Sequence, residues 1–241
     1  MSLSGKTILV TGGARRLGRS FALAIARKGA NLILHFSHSV EKAEQTRAEI
    51  ESIGVDAHLL QADFSDLSQA SQLIPRAFQI STLFALVNSA AIFEALTLDN
   101  TTLADWERHM AINLTAPFLL SQAFSRHLEP GQRGRIINIL DWRAFRPGSN
   151  HLPYNISKAG LVALTQSLAV TLAPKVNVNG LALGAVLPPS SGGDTSQILD
   201  QVPMKRWAEL EEVNDSLLFL LEGPAYITGE IIHVDGGRHL I

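Results

Sequence analysis

The sequence predicts an α/β fold in which a parallel, doubly wound sheet carries helices on both faces. Short apolar runs of strand length alternate with longer amphipathic stretches along the whole chain, and this alternation is typical of sheets built from β-α-β units. The first apolar run is followed at once by a glycine-rich turn that opens a helical pattern. Together these observations favour a single domain over residues 1–241, a length that α/β domains often reach.

Composition narrows the class of protein. The 241 residues carry a formal net charge of −2 and include no cysteine. A near-neutral chain has no bulk attraction for nucleic acid or membrane, and the lack of cysteine excludes disulfides, thiol catalysis and cysteine-ligated metals. No apolar run has the length of a signal region or a membrane span. We therefore expect a cytoplasmic protein that binds neither nucleic acid nor membrane, and no metal site is expected.

The first strand, Thr7 to Thr11, leads into a predicted phosphate site ahead of a helix from Ser20 to Lys28. Glycines let a backbone approach a pyrophosphate, and a helix N-terminus offers free N–H groups and positive potential. An ordinary strand-to-helix turn is the alternative. The turn residues predicted to bind cofactor are Gly12, Arg15, Arg16, Leu17 and Gly18.

The second strand, Asn31 to Phe36, ends without a carboxylate. An acidic residue at this point typically binds the ribose 2′-hydroxyl of NAD. Its absence, beside the cations Arg15 and Arg16, predicts a 2′-phosphate and therefore NADP(H); the alternative is that both arginines only solvate the surface. The residues predicted around this phosphate are His35, Ser37, His38 and Ser39.

The next two elements are a helix from Val40 to Ile53 and a third strand from Val55 to Gln61. After that strand, Asp63 is interpreted either as an acceptor for the adenine amino group or as a cap for the following turn, and Phe64 is placed in the cofactor site with it. A helix is predicted from Leu67 to Phe78, and Pro75 should disturb its last turn.

The fourth strand, Leu83 to Val87, ends at small residues that allow a cofactor ring to lie against the turn. Asn88 and Ala90 are assigned to the cofactor site there, although the favoured interpretation of Asn88 is that it ties the turn together. Phe93 either stacks on a planar substrate or belongs to the core.

One long helix is predicted from Thr102 to Phe124, with Asn113 and Pro117 inside it. Proline frees a carbonyl and kinks a helix. We interpret the kink near Asn113 as a place where a backbone carbonyl binds water; a bend that merely fits the sheet is the alternative.

The fifth strand, Arg135 to Leu140, delivers Asp141 at its carboxyl end, and a helix from Pro153 to Leu172 carries Tyr154 and Lys158. Residues four apart share a helix face. A lysine ammonium beside a phenol favours the phenolate, which would make Tyr154 a better proton carrier near neutral pH. The intervening loop allows Asp141 to fold back beside the phenol. Alone, this Tyr-x-x-x-Lys spacing also describes many surface pairs.

The last elements are a sixth strand from Val176 to Leu181, helices from Ser196 to Gln201 and from Glu211 to Leu221, and a seventh strand from Ile231 to Val234. Residues 184–205 are predicted to form the substrate loop. Gly184 and Val186 are assigned to the cofactor, and the flexible stretch from Ser190 to Asp194 is interpreted as a lid.

The ordered set of motifs resembles the short-chain dehydrogenase/reductase family over essentially the whole chain. The motifs are Gly12 to Gly18, Asn88, Asn113, Tyr154, Lys158 and Asp235-Gly236-Gly237. The resemblance implies a Rossmann sheet of seven parallel strands, a nicotinamide cofactor and usually a homotetramer. On this hypothesis Tyr154 donates the proton, Lys158 binds the nicotinamide ribose, and Asn113 holds a water that connects Lys158 to solvent.

Two departures from the family pattern resemble the pteridine reductases. Arg16 stands where most members carry glycine, and Asp141 where most carry serine. In that branch the arginine matching Arg16 contacts cofactor phosphate and substrate, and the aromatic matching Phe93 sandwiches the pterin against the nicotinamide. The residues matching Asp141, Tyr154 and Lys158 form its catalytic group.

Asp141 separates the candidate reactions. A carbonyl oxygen is only an acceptor, and an ionised carboxylate has no proton to offer it, whereas a pterin presents N–H and amino donors. The sequence therefore predicts an NADPH-dependent pteridine reductase, with a carbonyl or 3-oxoacyl reductase as the alternative. A non-catalytic NADP(H) sensor or scaffold stays open as a second class. Arg143 and Arg146 are interpreted as surface or subunit contacts, with an anionic substrate tail as the other option.

Overall fold

Continuous apolar runs form the strands, as expected for a parallel sheet that is covered on both faces. A computed structural model of the chain describes residues 1–188 and 196–241. The strands are β1 (Thr7–Val10), β2 (Asn31–Phe36), β3 (Ala57–Gln61), β4 (Leu83–Asn88), β5 (Gly134–Asp141), β6 (Val176–Leu183) and β7 (Ile231–Val234). They make one seven-stranded sheet in the order β3-β2-β1-β4-β5-β6-β7, and every neighbouring pair is parallel. The predicted doubly wound fold is confirmed.

Helices cover both faces of the sheet. They are α1 (Arg16–Ala26), α2 (Val40–Ile53), α3 (Leu67–Ile80), α4 (Leu103–Met110), α5 (Ala116–His127), α6 (Leu152–Leu172), α7 (Ser196–Asp200) and α8 (Leu210–Glu222). Successive strand residues point to opposite faces, so Ile8 and Val10 join the core under α1 and α8, while Leu9 joins the core under α3 and α5. None of the helices in the described parts of the chain combines the length and apolarity needed to cross a bilayer.

The strand order reverses between β1 and β4. Connections from β1 run to one side of the sheet and those from β4 run to the other, so the loops after these two strands diverge and leave a crevice. Ligands of open α/β sheets bind at such switch points, beyond the carboxyl ends of the strands. The glycine turn follows β1 and Asp141 ends β5, so both predicted sites lie at this edge.

The helical stretch after Thr102 is not the single α-helix predicted. A capping box between Thr102 and Asp105 begins α4, a π-helical turn occupies Ala111–Thr115, and α5 follows. Pro117 has no N–H to give to the carbonyl four residues earlier, so regular α-helical bonding is interrupted there. The kink was predicted near the right place, but it is a change of helix type.

Other boundaries also differ from the prediction. α3 runs through Pro75 to Ile80, so the expected disturbance of its last turn is wrong; its buried side chains on either side of the proline hold the helix against the sheet. α1 begins inside the glycine turn, at Arg16. β6 continues to Leu183 because it pairs with both β5 and β7. The lid predicted from Ser190 to Asp194 lies outside the described residues.

Candidate active site

Two glycines fix the shape of the turn after β1. Gly12 has φ +67°, a conformation that favours glycine, and a Cβ on it would lie 3.1 Å from Ala90 Cα. A Cβ on Gly18 would lie 2.1 Å from the carbonyl oxygen of Gly12. The turn therefore closes tightly on itself and against the end of β4, which leaves backbone N–H groups at the start of α1 without bulky neighbours.

Arg16 occupies the position where most members of the resembled family carry glycine, and it adopts φ 52°. That left-handed conformation explains the usual glycine. Its guanidinium donates a hydrogen bond to the carbonyl oxygen of Pro188 at 2.9 Å. Arg16 thus connects the phosphate turn to the loop after β6. Arg15 beside it is exposed, and the first turn of α1 has no acidic residue.

The His35 side chain turns into the protein, so the structure does not offer it to a 2′-phosphate as predicted. The side chain is 2% exposed, accepts from the backbone N–H of Gly12 at 3.2 Å and bonds the carbonyl oxygen of Ala62 at 2.9 Å. Its ring stacks on Phe64 with centroids 4.1 Å apart, so the Phe64 side chain is equally inaccessible. Burial lowers the pKa of His35 to about 4. The neutral imidazole is a structural support for the glycine turn.

The open end of the predicted adenosine pocket carries small polar groups. Ser37 Oγ and His38 Nδ1 are 2.9 Å apart, and His38 Nε2 lies 3.8 Å from Asp63 Oδ2. Asp63 accepts from the backbone N–H of Ser65 at 2.9 Å, which bears out the turn-capping interpretation, and that hydrogen bond lowers the pKa of Asp63. Ser39 precedes α2 without capping it. Its hydroxyl is therefore not committed to the helix.

Asn88 marks the switch point on the β4 side. Its Nδ2 donates to Asn138 Oδ1 at 2.8 Å, so the predicted structural role is present. Its Oδ1 is buried and has no partner among the described residues. Next to it, the backbone N–H of Ala90 donates to Thr11 Oγ1 at 3.0 Å. A buried acceptor awaiting a donor at this crevice, beside a glycine-shaped turn, fits a bound dinucleotide.

Gly184 and Val186 follow β6 at the same edge of the sheet. Gly184 donates its N–H to the carbonyl oxygen of Val234 at 3.0 Å, and a Cβ on it would lie 2.5 Å from Asp235 Cα. Val186 is 6% exposed. Their assignment to the cofactor stays a prediction.

Asp141 and Tyr154 form a direct pair. The Tyr154 hydroxyl donates to Asp141 Oδ2 at 3.0 Å, as the sequence predicted. Burial of the phenol and, next, the Asp141 carboxylate raise the pKa of Tyr154 well above its usual value. The expectation that Lys158 favours the phenolate is wrong for this geometry, because burial and the Asp141 carboxylate favour the neutral phenol. Tyr154 is held as a protonated donor.

Lys158 points past the phenol. Its Nζ is 5.8 Å from the centre of the Tyr154 ring and donates to the carbonyl oxygen of Ile139 at 2.7 Å. Burial lowers the pKa of Lys158 to about 8. The ammonium keeps two further N–H groups, and its place between β5 and α6 suits a ribose hydroxyl.

Asn113 ties together the walls of the site. Its Oδ1 accepts from the N–H of Ile92 at 2.9 Å, and its Nδ2 donates to the carbonyl oxygen of Ile92 at 3.0 Å and to Ser157 Oγ at 3.1 Å. Among the described residues, these hydrogen bonds reach neither the Tyr154 hydroxyl nor the Lys158 ammonium. It anchors the segment that carries Phe93 against α6, and the water-holding role remains a prediction for its backbone.

Phe93 is 49% exposed, so the core interpretation is wrong. Its ring meets Tyr154 edge-on with centroids 4.7 Å apart and stacks on His151 at 4.0 Å. Sequence reasoning missed His151, which has φ 62° directly before α6 and bonds the carbonyl oxygen of Glu94 at 2.7 Å. Its position two residues before the Pro153-Tyr154 pair was the available signal.

Arg143 also belongs to the site, which reverses the preferred surface interpretation. Its backbone N–H donates to Asp141 Oδ1 at 2.8 Å, and its Nη1 lies 3.4 Å from the same oxygen. Arg146 instead donates to the backbone oxygen of Ile241 at 3.0 Å on the surface. Across the described residues, no group of three or more His, Cys, Asp or Glu side chains is arranged to hold a metal ion.

The fold and the site together define a nicotinamide-dependent oxidoreductase. A family model described as short chain dehydrogenase matches residues 6–197, and the chain belongs to that family.

Similar proteins agree with this assignment. The chain is 33% identical to a 3-oxoacyl-[acyl-carrier-protein] reductase of Synechocystis sp. and 36% identical to one of Aquifex aeolicus, each alignment covering 98% of both proteins. A crystal structure of FolM alternative dihydrofolate reductase 1 from Brucella canis complexed with NADP superposes with a TM-score of 0.92 at 31% identity, covering 100% of this chain and 97% of that one. A short chain dehydrogenase from Burkholderia cenocepacia in complex with NADP gives 0.92 at 33% identity, covering 99% of each.

Proposed function

We propose that the protein is an NADPH-dependent pteridine reductase that reduces a C=N bond of a dihydropterin or dihydrofolate. The observation that carries this proposal is the hydrogen bond from Tyr154 to Asp141, 3.0 Å long, next to the exposed ring of Phe93. It places a proton donor, a carboxylate acceptor and an aromatic surface together. The similarity to the NADP complex of FolM alternative dihydrofolate reductase 1 supports the same substrate class.

The residues of the chain divide the binding work in this proposal. The turn from Gly12 to Gly18 takes the pyrophosphate, Arg15 with Ser37 to Ser39 takes the 2′-phosphate, and Lys158 takes the nicotinamide ribose. The remaining predicted cofactor residues are Asp63, Asn88, Ala90, Gly184 and Val186. NADPH, when bound, supplies the hydride.

The protein side of the reaction concerns one proton. Tyr154 keeps its proton because burial and Asp141 raise its pKa, and it releases that proton to the substrate nitrogen as the nitrogen becomes basic. Asp141 is then free to accept a hydrogen bond from a substrate N–H. A simple ketone offers Asp141 no such donor.

A 3-oxoacyl reductase is the second candidate, because the relatives from Synechocystis and Aquifex aeolicus carry that name at 33% and 36% identity. The deciding experiment measures NADPH oxidation with dihydrobiopterin, dihydrofolate and a 3-oxoacyl thioester, for the wild type and Asp141→Ser. We expect pterin turnover that falls in Asp141→Ser. Thioester turnover that improves in Asp141→Ser, with no pterin activity, would reverse the ranking. Tight NADPH binding without turnover of any substrate would indicate a sensor.

Cofactor preference has its own test. The end of β2 offers Ser37 and His38 but no carboxylate, so we propose a strong preference for NADPH over NADH. Equal kcat/KM with the two cofactors contradicts it.

For assembly we propose a cytoplasmic homotetramer, as in most of the resembled family. Apolar side chains on the outer surface of α4 and α5 support self-association: Leu103 is 71% exposed, Trp106 36% and Phe118 39%. Light scattering after size exclusion tests the stoichiometry, and a monomer at micromolar concentration contradicts it.

A further inference from the structure

The guanidinium of Arg143 lies beside both side chains that the proposed function assigns to the substrate. Its Nη1 is 3.4 Å from Asp141 Oδ1, and its central carbon is 5.2 Å from the centre of the Phe93 ring. The side chain is 26% exposed. Part of the guanidinium therefore faces the cleft between the catalytic carboxylate and the aromatic wall.

Arg143 is held in this position from two directions. Its own N–H is fixed by Asp141 at 2.8 Å, and its guanidinium packs over the Trp142 ring at 4.9 Å. The central guanidinium carbon of Arg238 lies 4.1 Å from the centre of the Trp142 ring. Arg238 is 7% exposed, and its guanidinium donates a hydrogen bond to Gln201 Oε1 at 2.6 Å. The short 3-10 turn Arg238–Leu240 near the C-terminus thus supports the indole that packs on Arg143. A side chain restrained in this way loses little entropy when it binds a ligand.

Most of the N–H groups on the Arg143 side chain have no acceptor in the described parts of the chain. A guanidinium has five N–H donors, and within residues 1–188 and 196–241 its side chain makes one hydrogen bond, the long contact to Asp141. Asp141 is also the only carboxylate within ion-pair distance of it in those ranges. The other Asp141 oxygen accepts from Tyr154. The remaining donors are therefore not committed within those ranges, and they can meet a bound molecule.

The surrounding charge favours an acceptor. Near Asp141 stand three cations, Arg143, Arg238 and Lys158. Burial and, next, the positive charge of Arg143 lower the pKa of Arg238. A substrate group that brings an oxygen lone pair or partial negative charge is favoured next to Arg143, and a group that brings N–H donors is disfavoured.

We propose that Arg143 is a specificity-determining residue that donates a hydrogen bond to a ring carbonyl oxygen next to the nitrogen protonated by Tyr154. This inference rests on the proposed pteridine reductase function. A pterin carries such an oxygen on the carbon that adjoins the ring fusion. The nitrogen of the C=N bond that is reduced adjoins the same ring-fusion carbon, so the oxygen and the nitrogen lie side by side. In a diamino analogue an amino group replaces that oxygen, and its N–H groups meet those of Arg143.

The test compares four proteins: the wild type, Arg143→Leu, Arg143→Lys and the matched control Arg146→Leu. Dissociation constants are measured with NADP⁺ bound, for pterin and for its diamino analogue, together with kcat and KM for a dihydropterin. We expect Arg143→Leu to weaken pterin about 10-fold or more, the usual worth of a hydrogen bond to a charged group, and to leave the diamino analogue unchanged or tighter. Arg143→Lys restores part of the preference because it keeps the charge, and Arg146→Leu behaves as the wild type.

Two results would overturn the inference. Equal weakening of both ligands in Arg143→Leu would show that Arg143 acts only by holding Asp141, and no weakening of either would show that it faces solvent. Thermal melting and NADPH affinity of each variant establish that it is folded, and Arg143→Lys carries the comparison if the leucine variant is not. A wild type that turns over no dihydropterin contradicts the proposed function instead, so the two failures are distinct.

Discussion

The two ends of the cleft are built in different ways. At the dinucleotide end the main chain makes the site: Gly12 and Gly18 bring the turn together, and His35 holds it from beneath. At the substrate end side chains make the site, since Asp141 and Tyr154 meet across thirteen positions of sequence. A cofactor shared by many reactions is thus bound mainly by the shape of the main chain, whereas the reaction depends on a few side chains that can be exchanged.

The largest effect is expected at the substrate end. Tyr154→Phe removes the hydroxyl group and with it the proton that is transferred. We therefore expect kcat/KM to fall about 10²- to 10⁴-fold, while NADPH affinity stays near the wild-type value. Steady-state turnover and NADPH fluorescence titration measure the two quantities. The other tyrosine, Tyr226, is fully exposed, and Tyr226→Phe is the control. Turnover preserved in Tyr154→Phe would remove the basis of the mechanism.

A second test concerns the support under the phosphate turn. His35 has a pKa of about 4 in the fold and about 6.5 in an unfolded chain, so the unfolded state binds more protons between those values. Stability is therefore level above about pH 6.5 and falls as the pH drops toward 4, by about 3 kcal/mol at most. When the free energy of unfolding is measured with urea across this range, it should change less steeply with pH in His35→Leu than in the wild type. His58→Leu, at an exposed position of β3, should keep the wild-type slope; identical curves for all three proteins contradict the assignment.

A third test adds one methyl group to the turn. A Cβ at Gly18 would lie 2.1 Å from the Gly12 carbonyl oxygen, so Gly18→Ala should lose about 1–3 kcal/mol of unfolding free energy and bind NADPH more weakly. Gly148 has nothing within 4 Å of its Cβ position, and Gly148→Ala is the matched control. Similar stability and affinity in both variants would mean that the turn is not tightly closed.

The smallest effect is expected at Arg16, where two variants distinguish the contribution of the backbone conformation from that of the side chain. Arg16→Gly and Arg16→Ala both lose the hydrogen bond to Pro188, and only alanine is strained at φ 52°. The glycine variant should be more stable than the alanine variant by about 1 kcal/mol, as measured by chemical unfolding. NADPH should bind both less well than the wild type. Equal unfolding free energies in the two variants would show that the left-handed conformation of residue 16 costs no stability.

Much of the fold could be predicted because its signals are local. Apolar runs gave the strands in their correct sequence, and the parallel doubly wound order followed from their alternation with helices. The π-helical turn Ala111–Thr115 could not be predicted, since a helical pattern alone does not distinguish its bonding from that of an α-helix. The helix through Pro75 was predicted, but the disturbance expected in its last turn was wrong, because tertiary burial of the neighbouring side chains outweighs the missing N–H.

The candidate site was predictable where chemistry fixes residue type. The Tyr154–Asp141 pair was expected from its residue types and from family resemblance, and the structure places the two in contact. His35 was misassigned because polarity at a strand end does not show which way the ring points. Arg143 was undervalued because the turn that directs it toward Asp141 depends on contacts with Trp142, and these appear only in three dimensions.

The π-helical turn Ala111–Thr115 lies between α4 and α5, which follow one another without a loop. It sets the direction in which the side chains of α4 point relative to those of α5. One residue corresponds to about 100° around a helix axis, so α4 is turned relative to the direction that a regular continuation of α5 would give it. In that orientation Arg108 reaches Glu94 Oε2 at 2.6 Å while Asn113 grips Ile92. Shortening the joint by a single residue would swing Arg108 away from Glu94 and leave the strand beneath untouched. The residues on either side of Phe93 are thus held by side chains whose directions depend on the π-helical turn.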